Sequence, residues 1–230
     1  MNKNFKILAL ITARGGSKGI PKKNIYPICG KPLIYYTINA ALNSKFINSV
    51  YVSSDDSEIL EISKGYGAIP LIRPENLSLD TTSSEAVIEH AIEELQSEKF
   101  DIILLLQPTS PLRTSEDIDN AINRFINSDA TALISAFEPD HHPYKSFKLT
   151  GDGFLKGIID NEMAFKRRQD IEKVYQSNGA IYLIYTEEFR KTKKLFTERT
   201  ILYEMSKESS IDIDNLEDIN KAENILKGQN

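Results

Sequence analysis

The sequence predicts an α/β fold in which a doubly wound, mostly parallel sheet is sandwiched by helices. Two observations lead to this prediction. Nearly continuous apolar runs recur along the first two thirds of the chain, which is typical of strands covered on both faces. Segments with helical periodicity separate these runs, and such alternation implies right-handed crossovers between parallel strands. With 230 residues, the chain is long enough for one core and a small additional subdomain.

Five apolar runs are predicted to be strands: residues 5–12, 49–53, 70–73, 101–107 and 131–136. Apolar stripes at helical spacing lie between them, over residues 87–95 and 118–126. Capping residues precede both helices: Ser83 or Ser84 for the first, and Thr114 or Ser115 for the second. A further strand is predicted over residues 180–185, and a last helix carries the apolar stripe from Leu216 to Leu226.

The alternation is interrupted over residues 138–178, a polar, aromatic and charged stretch. This length exceeds that of an ordinary loop and predicts an inserted subdomain within a single domain of residues 1–230. Insertions of this kind often carry function or form an oligomer interface. The stretch contains adjacent histidines, His141 and His142, without further metal ligands nearby in sequence, so a buried or interface role is favoured over a zinc site.

Composition and charge exclude several classes of protein. The net charge is −5 and the basic residues are dispersed, whereas nucleic-acid binding requires a concentrated cationic surface. A single cysteine, Cys29, excludes an internal disulfide and is consistent with a reducing cytoplasm. The first apolar run is too short to span a membrane and lacks the features of a signal peptide. We therefore expect a cytoplasmic protein with neither a nucleic acid nor a membrane as partner.

A glycine-rich basic loop, residues 13–24, follows the first predicted strand. Ligands of open α/β sheets bind at the carboxyl ends of the strands, where this loop would lie. Gly15 and Gly16 allow backbone N–H groups to approach phosphate oxygens, and compensating charge comes from Arg14, Lys18 and Lys23. The loop is neither a Walker A motif nor Gly-x-Gly-x-x-Gly. The alternative is a solvated turn with ordinary surface lysines.

Two aspartates, Asp212 and Asp214, alternate with isoleucines in the segment Ser-Ile-Asp-Ile-Asp. In an extended segment both carboxylates point to one side. Paired carboxylates repel each other unless a cation lies between them, and oxygen ligands suit Mg²⁺ held together with a triphosphate. The alternative is helix capping, because Asp214 comes shortly before the last predicted helix.

Further candidates lie at the same predicted rim of the sheet. Gln107 ends the fourth strand in the segment LLLQPTSPLR, where Pro108 and Pro111 shape the turn and the glutamine amide can both donate and accept hydrogen bonds. Arg73 and Ser84 can present a guanidinium and a hydroxyl to a nucleotide base, although each serine near this helix start can equally serve as a cap.

The chain resembles the CMP-sialic acid synthetases, also called acylneuraminate cytidylyltransferases. The resemblance spans nearly the whole chain and rests on six segments in order: ALITARGGSKGIPKKN, LIRPENLSLDT, LLLQPTSPLR, HHPYK, SNGAIYL and SIDID. It implies a Rossmann-like nucleotidyltransferase fold and transfer of CMP from CTP to a nine-carbon acidic α-keto sugar, such as N-acetylneuraminic acid, with release of pyrophosphate. It also implies Mg²⁺, for which Mn²⁺ can substitute, and a homodimer in which the insertion of one chain covers the other chain's site.

The resemblance assigns roles by position. The nucleotide-binding positions are Arg14, Gly15, Gly16, Ser17, Lys18, Lys23, Asn24, Arg73 and Ser84. The sugar-binding positions are Gln107, Lys145, Arg168, Gln176, Tyr182 and Phe196. Asp212 and Asp214 match the metal-binding pair, and together with Arg14 and Lys23 they form the expected catalytic set.

Two departures from the family pattern concern the sugar. Gln176-Ser177-Asn178-Gly179 stands where some sialic acid enzymes have Arg-Pro-Asn-Gly, and Leu195 stands where an aromatic residue can occur. Legionaminic acid or another bacterial nonulosonic acid is therefore an alternative substrate. Gln107 with its following turn and the aspartate pair argue against the eight-carbon acid of lipopolysaccharide. A non-catalytic nucleotide-sugar-binding protein is disfavoured because the basic loop and both aspartates are retained.

Overall fold

The computed structural model describes residues 5–228, so the remaining positions of the predicted domain, 1–4 and 229–230, lie outside the described residues. The strands are β1 (Ile7–Thr12), β2 (Pro27–Ile28), β3 (Lys31–Pro32), β4 (Val50–Ser54), β5 (Ile69–Ile72), β6 (Ile102–Leu106), β7 (Ala132–Phe137), β8 (Phe147–Leu149), β9 (Leu155–Gly157), β10 (Gln176–Tyr185) and β11 (Thr200–Glu204). The helices are α1 (Leu33–Leu42), α2 (Ser57–Gly65), α3 (Ser84–Glu94), α4 (Ser115–Ile126), α5 (Thr186–Thr192) and α6 (Leu216–Gly228).

A seven-stranded sheet forms the centre of the molecule, in the order β11-β7-β10-β6-β1-β4-β5. All neighbouring pairs are parallel except those of β10, which runs antiparallel to both β6 and β7. The mostly parallel, doubly wound α/β fold predicted from the sequence is thereby confirmed, with one reversed strand inside the sheet.

The central strands are apolar throughout because helices cover both faces of the sheet. In β1, Ala9 and Ile11 pack against the apolar cluster that contains residues of α1, α2 and α4. Leu8 and Leu10 point to the other face, where residues of α3 and α5 complete a second cluster. Alternate side chains of one strand therefore belong to two different halves of the core.

The predicted strands agree with the structure to within a residue or two for the first five, whereas the outer parts of the sheet differ. Ile72 in the edge strand β5 is 76% exposed, so this strand is not covered on both faces. The short edge strand β11 was not predicted, and β10 begins at Gln176, inside the stretch assigned to the insertion. Antiparallel pairing of Gln176 and Ser177 with the end of β7 extends this strand.

Both predicted helix starts are confirmed. The Ser83 hydroxyl accepts a hydrogen bond from the Ala86 N–H at 3.2 Å and caps α3. Thr114 caps α4 and forms a reciprocal capping box with Asp117. Within residues 5–228, no helix combines the length and apolar character that crossing a membrane requires.

The segment between β7 and β10 contains the antiparallel hairpin of β8 and β9, together with three short 3₁₀ turns. His142 is buried, and its ring bonds to the Glu172 carbonyl at 3.0 Å and to the Tyr144 N–H at 3.2 Å. These bonds tie the start of the segment to its end. The buried role predicted for this segment is confirmed at His142, whereas His141 is exposed.

Candidate active site

A cleft of about 380 Å³ lies at the carboxyl edge of the sheet. The chain winds from β1 towards β4 and β5 on one side and continues through β6 on the other, so the loops after β1 and β6 diverge there. Such a reversal of strand order is where open α/β sheets bind ligands. The predicted site residues that line the cleft are Arg14, Gly16, Ser17, Lys18, Lys23, Asn24, Arg73, Ser84, Gln107 and Asp214.

Side chains from other parts of the chain hold the glycine-rich loop in place. The Asn24 amide donates to the Arg14 carbonyl at 2.8 Å, and the Gly15 N–H donates to Asp55 Oδ1 at 3.1 Å. A Cβ atom at Gly15 would lie 2.9 Å from the Asp56 side chain, whereas one at Gly16 would meet open space. Asp55 accepts the Gly15 N–H and Gly15 does not line the cleft, so its contact with phosphate stays a prediction. Gly16 is the glycine that faces the cleft.

Two cations of the loop share one acidic partner. Arg14 and Lys18 both form ion pairs with Asp80, at 2.5 Å and 2.6 Å. Hydrogen bonds from Lys18 and Arg14 lower the pKa of the Asp80 carboxyl. Sequence reasoning missed Asp80, because nothing in its local pattern indicates contact with a loop more than sixty residues earlier.

Lys23 joins the loop to the aspartate segment. Its ammonium group donates to the Ile213 carbonyl at 2.7 Å and to Asp214 Oδ1 at 3.1 Å. The backbones also approach closely, because a Cβ atom at Gly19 would lie 2.5 Å from the Asp214 carbonyl oxygen. Only glycine is compatible with this approach. The basic loop and the aspartate pair therefore form a single site.

The alternation predicted for the aspartate segment is confirmed. Ile211 and Ile213 pack in an apolar cluster with residues of α1 and α6, while Asp212 and Asp214 remain exposed. The capping interpretation of Asp214 is wrong. Asn215 Oδ1 accepts from the N–H groups of Glu217 and Asp218, at 2.9 Å and 3.1 Å, and so caps α6. The Asp214 carboxylate is thus available for a role other than capping.

Asp212 lies beside the cleft, next to Thr109. The surrounding protein partly desolvates its carboxyl and raises its pKa, and the negative charge of Asp214 adds to this effect. Lys23 and a hydrogen bond from Thr109 act in the opposite direction. The two carboxylates carry two negative charges, whereas the lysine beside them, Lys23, carries one positive charge. Within residues 5–228 no cluster of three or more acidic, histidine or cysteine side chains is arranged to hold a metal.

Arg73 is buried against the end of β4, and 5% of its surface is exposed. Its guanidinium lies 3.6 Å from Asp55, beyond hydrogen-bond distance, and the Nε and NH2 atoms have no hydrogen-bond partner within residues 5–228. Burial lowers the pKa of this arginine. Unpaired buried donors are costly, so this side chain is prepared for a ligand that accepts hydrogen bonds. Ser84 lines the same wall, whereas its neighbour Ser83 serves as the helix cap.

Gln107 is held where β6 ends. Gly179 has a φ of +72°, and a Cβ atom there would lie 2.3 Å from Gln107 Oε1. The buried Arg113, missed by sequence reasoning, donates to the Ala180 carbonyl at 2.8 Å and to the Gln107 carbonyl at 3.3 Å. Burial lowers the pKa of Arg113 to about 9. The two contacts join the turn after β6 to β10, and the second one holds the backbone from which the Gln107 side chain extends.

Asn178 forms a second buried junction that the sequence did not reveal. Its Oδ1 accepts from the Ser135 hydroxyl at 2.6 Å, and its amide donates to the Ser210 hydroxyl at 2.8 Å. Ser210 is the first residue of the aspartate segment. The asparagine therefore connects β7 and β10 with the backbone that carries Asp212.

The predicted sugar residues are not all brought together within one chain. The pKa of Tyr182 is raised by burial and, to a smaller extent, by Asp212, which places this tyrosine close to the aspartate pair. Gln176 is exposed at the carboxyl edge of β6 and β7. Lys145 and Arg168 belong to the insertion, where Arg168 pairs with Glu138 at 3.0 Å rather than lining the cleft.

Phe196 does not lie at this site. It precedes β11 and borders a separate cavity with Thr131, which precedes β7, so it lies at the opposite edge of the sheet. The structure thus places Phe196 apart from the cleft of its own chain, and its sugar-binding role stays a prediction. Leu195 is buried in the core next to α3 and α5, so its identity reflects packing.

Comparison with known proteins gives a consistent result. A family model described as "Cytidylyltransferase" matches residues 8–230. The chain is 36% identical over 226 residues to a pseudaminic acid cytidylyltransferase of Campylobacter jejuni, covering 97% of each. It is 34% identical to an N-acylneuraminate cytidylyltransferase of Escherichia coli O18:K1:H7, covering 98% of this chain and 53% of that protein.

Solved structures share the fold at lower sequence identity. A CMP:2-keto-3-deoxy-manno-octonic acid synthetase complexed with CTP has a TM-score of 0.73 and 16% identity, over 98% of this chain and 100% of its own. A 4-diphosphocytidyl-2C-methyl-D-erythritol synthase of Anaerococcus prevotii has a TM-score of 0.68 and 15% identity, over 97% of each chain. Together with the family match over nearly all residues, the cleft at the strand reversal leads to one conclusion: the chain belongs to the cytidylyltransferase family of nucleotidyltransferases.

Proposed function

We propose that this enzyme transfers CMP from CTP to the anomeric hydroxyl of a nine-carbon acidic α-keto sugar and releases pyrophosphate. The observation that carries the proposal is the junction of the basic loop with the aspartate segment through Lys23 and Gly19. This junction brings phosphate-binding cations and a carboxylate pair to one cleft. The reaction would take place in the cytoplasm, where the single cysteine remains reduced.

The chemistry requires charge neutralisation and alignment. The sugar hydroxyl oxygen forms a bond to the α-phosphorus of CTP. The bond from this phosphorus to the oxygen that bridges the α- and β-phosphates breaks, and the hydroxyl proton is released. Arg14 and Lys18 would bind the β- and γ-phosphates, where negative charge collects on the departing pyrophosphate. Arg73 would donate to an acceptor atom of the nucleotide, since two of its nitrogens lack hydrogen-bond partners among the described residues. Gln107 would orient the sugar across the cleft.

The aspartate pair fits a divalent cation. Asp212 is partly desolvated and repelled by Asp214, so a cation would relieve both effects. Mg²⁺ commonly takes one or two carboxylates and completes its shell with water and substrate phosphates. We therefore propose Asp212 and Asp214 as its ligands, with Mn²⁺ as a substitute. When bound, the ion would supply Lewis-acid polarisation of the α-phosphate.

The relatives narrow the choice of sugar without reducing it to one compound. The Campylobacter jejuni protein, matched over nearly its full length, is named for pseudaminic acid, and the Escherichia coli protein is named for N-acylneuraminate. Both sugars are nine-carbon α-keto acids. We favour a bacterial nonulosonic acid with a neutral acylamido substituent near Gln176, because a glutamine amide has no charge to offer a second anionic group.

Pyrophosphate release tests the proposed reaction. Purified enzyme would be incubated with CTP, Mg²⁺ and one sugar at a time: pseudaminic, legionaminic and N-acetylneuraminic acids, the eight-carbon acid of lipopolysaccharide, or none. We expect release only with nine-carbon acids, and mass spectrometry should find the matching CMP-sugar. Release with the eight-carbon acid alone, or with no acid at all, would contradict the proposal. Replacing CTP by UTP or ATP serves as the control for the nucleotide.

We predict that Gln176→Arg changes the relative kcat/KM between N-acetylneuraminic acid and its 7-acylamido relatives. A charged, two-pronged donor would replace a neutral amide at an exposed position on the cleft edge of the sheet. Arg168→Ala should instead lower kcat/KM for every sugar, since a carboxylate is common to all of them. Equal effects of Gln176→Arg on all sugars would place this residue outside the specificity pocket.

We also propose a homodimer in which the insertion packs against a second copy. Large apolar side chains on this segment are 43–82% exposed: Phe147, Leu149, Phe154, Leu155, Ile158, Ile159 and Phe165. Exposed apolar surface of this extent marks an interaction site. The same segment carries Lys145 and Arg168, which lie outside the cleft of their own chain and would reach the site of the partner.

Leu149→Asp is therefore expected to produce monomers at concentrations where the unmodified enzyme is dimeric, because burying a charge in an apolar interface is unfavourable. Sedimentation equilibrium would measure the mass. Phe196→Asp is a suitable control, because Phe196 is 68% exposed, comparable to Leu149 at 71%, but lies outside the insertion. A monomeric unmodified enzyme would refute the dimer.

A further inference from the structure

Arg14 and Lys18, which line the cleft, converge on a single carboxylate. Arg14 NH1 lies 2.5 Å from one oxygen of Asp80, and Lys18 Nζ lies 2.6 Å from the other. The carboxylate thus bridges two cations through separate oxygens, which is also how a phosphate group would be held.

Asp80 lies beside the cleft, in contact with two of the residues that line it. It follows Leu79 in a turn closed by a hydrogen bond from the Thr82 N–H to the Leu79 carbonyl at 3.1 Å. The next residues, Thr82, Ser83 and Ser84, line the cleft wall. Asp80 therefore joins the segment that precedes α3 to the glycine-rich loop.

The positive charge beside Asp80 is concentrated. Arg14 is close enough to Arg73 that its charge adds to the effect of burial in lowering the Arg73 pKa. Asp55 lies 3.6 Å from Arg73, whereas Asp80 is the acidic partner of Arg14 and Lys18. Removing Asp80 would leave both of these cations without the carboxylate that now neutralises them.

We propose that Asp80 acts as a built-in competitor of polyphosphate: its carboxylate occupies Arg14 and Lys18 between turnovers and lowers the affinity of the cleft for pyrophosphate. The inference rests on the proposed function, in which pyrophosphate is the product that must leave. A site made only of cations would hold this highly charged anion tightly and delay release. An internal carboxylate takes the place of the departing phosphate on the same two side chains.

Solvent exposure makes this exchange feasible in both directions. The side chains of Arg14, Asp80 and Lys18 are 34%, 42% and 81% exposed, so each pair is partly solvated and screened. Exposed ion pairs of this kind are weak. A triphosphate with several anionic oxygens can displace one carboxylate from Arg14 and Lys18. The carboxylate can return once the contacts of these two side chains with pyrophosphate begin to break.

Direct binding of inorganic pyrophosphate tests the proposal without any sugar. Isothermal calorimetry on the full chain would compare the unmodified enzyme with Asp80→Asn, which keeps the size of the side chain but removes its charge. We expect the Kd for pyrophosphate to fall about tenfold, the scale of two exposed ion pairs. The product-inhibition constant should fall in parallel, and kcat should fall because release becomes slower. Unchanged or weaker pyrophosphate binding by Asp80→Asn would overturn the proposal.

Two comparisons separate direct competition from a general change of charge. Glu75→Gln removes one exposed acidic charge five residues earlier and should leave the pyrophosphate Kd unchanged; an equal gain there would overturn the proposal. In an Arg14→Ala/Lys18→Ala background, Asp80→Asn should have no effect, because the competing partners are gone. A persistent effect would likewise overturn it. CMP transfer by the unmodified enzyme is measured in a separate assay. A negative result for Asp80 would therefore not count against the proposed reaction.

Discussion

Asp212→Asn and Asp214→Asn are each expected to lower kcat/KM by about 100-fold or more while the protein stays folded. Each substitution removes one of two adjacent carboxylates proposed to hold Mg²⁺ against the α-phosphate. The loss should be partly offset at high Mg²⁺ concentration, because a weakened site can still be filled by mass action. The measurement is a titration of initial rate against Mg²⁺ for each variant.

Glu217→Gln is the matched control for this prediction. Glu217 is an exposed acidic residue near the start of α6 whose carboxylate pairs with Lys221 rather than with a residue of the cleft. Thermal unfolding should show little change for Asp214→Asn, since Asn215 provides the helix cap and the Asp214 side chain is 74% exposed. Near-normal rates of both aspartate variants at limiting Mg²⁺ would exclude the metal assignment.

Arg14→Ala and Lys18→Ala are expected to raise the KM for CTP about 10- to 100-fold each, with little effect on the KM for the sugar. Each removes a charge-assisted contact to phosphate, typically worth about 1.5–3 kcal/mol. Arg14 should have the larger effect, because its side chain is 34% exposed and Lys18 is 81% exposed. Steady-state kinetics with each substrate varied in turn would measure the two constants.

Lys22→Ala provides the comparison within the same loop. Lys22 pairs with Glu58 and lies outside the residues that line the cleft, so its loss should leave the KM for CTP nearly unchanged. If all three variants had the same CTP constants as the unmodified enzyme, the loop would be an ordinary surface turn.

Local pattern determined much of the fold. The sequence predicts the apolar runs that form β1, β4, β5, β6 and β7, and it limits the helix caps to Ser83 or Ser84 and to Thr114 or Ser115, because both features depend on contacts within a few residues. The edge strand β11 escaped prediction because its side chains are only partly buried and its pairing with β7 is a contact between distant segments.

For the candidate site, too, some features could be predicted from local sequence and others depended on contacts between distant residues. Residue type and order identified the basic loop, the aspartate pair and Gln107, because phosphate and metal chemistry restrict which side chains can serve. The sequence did not reveal that Asp55 accepts a hydrogen bond from the Gly15 N–H, or that Phe196 lines a cavity at the other edge of the sheet. Both findings concern which distant residues are adjacent in space.

What the sequence alone determined about this protein is most of its central strands, three of its helices, its nucleotidyltransferase class and the residues that are candidates for phosphate and metal binding. What only the tertiary structure decided is which of those residues meet. Asn215 rather than Asp214 caps the last helix, Lys23 bridges to the aspartates, and Asp80 neutralises the cations of the loop. The physical reason is that hydrogen bonds and ion pairs depend on distances of a few ångströms between atoms, and residues far apart in sequence approach that closely only after the sheet has assembled.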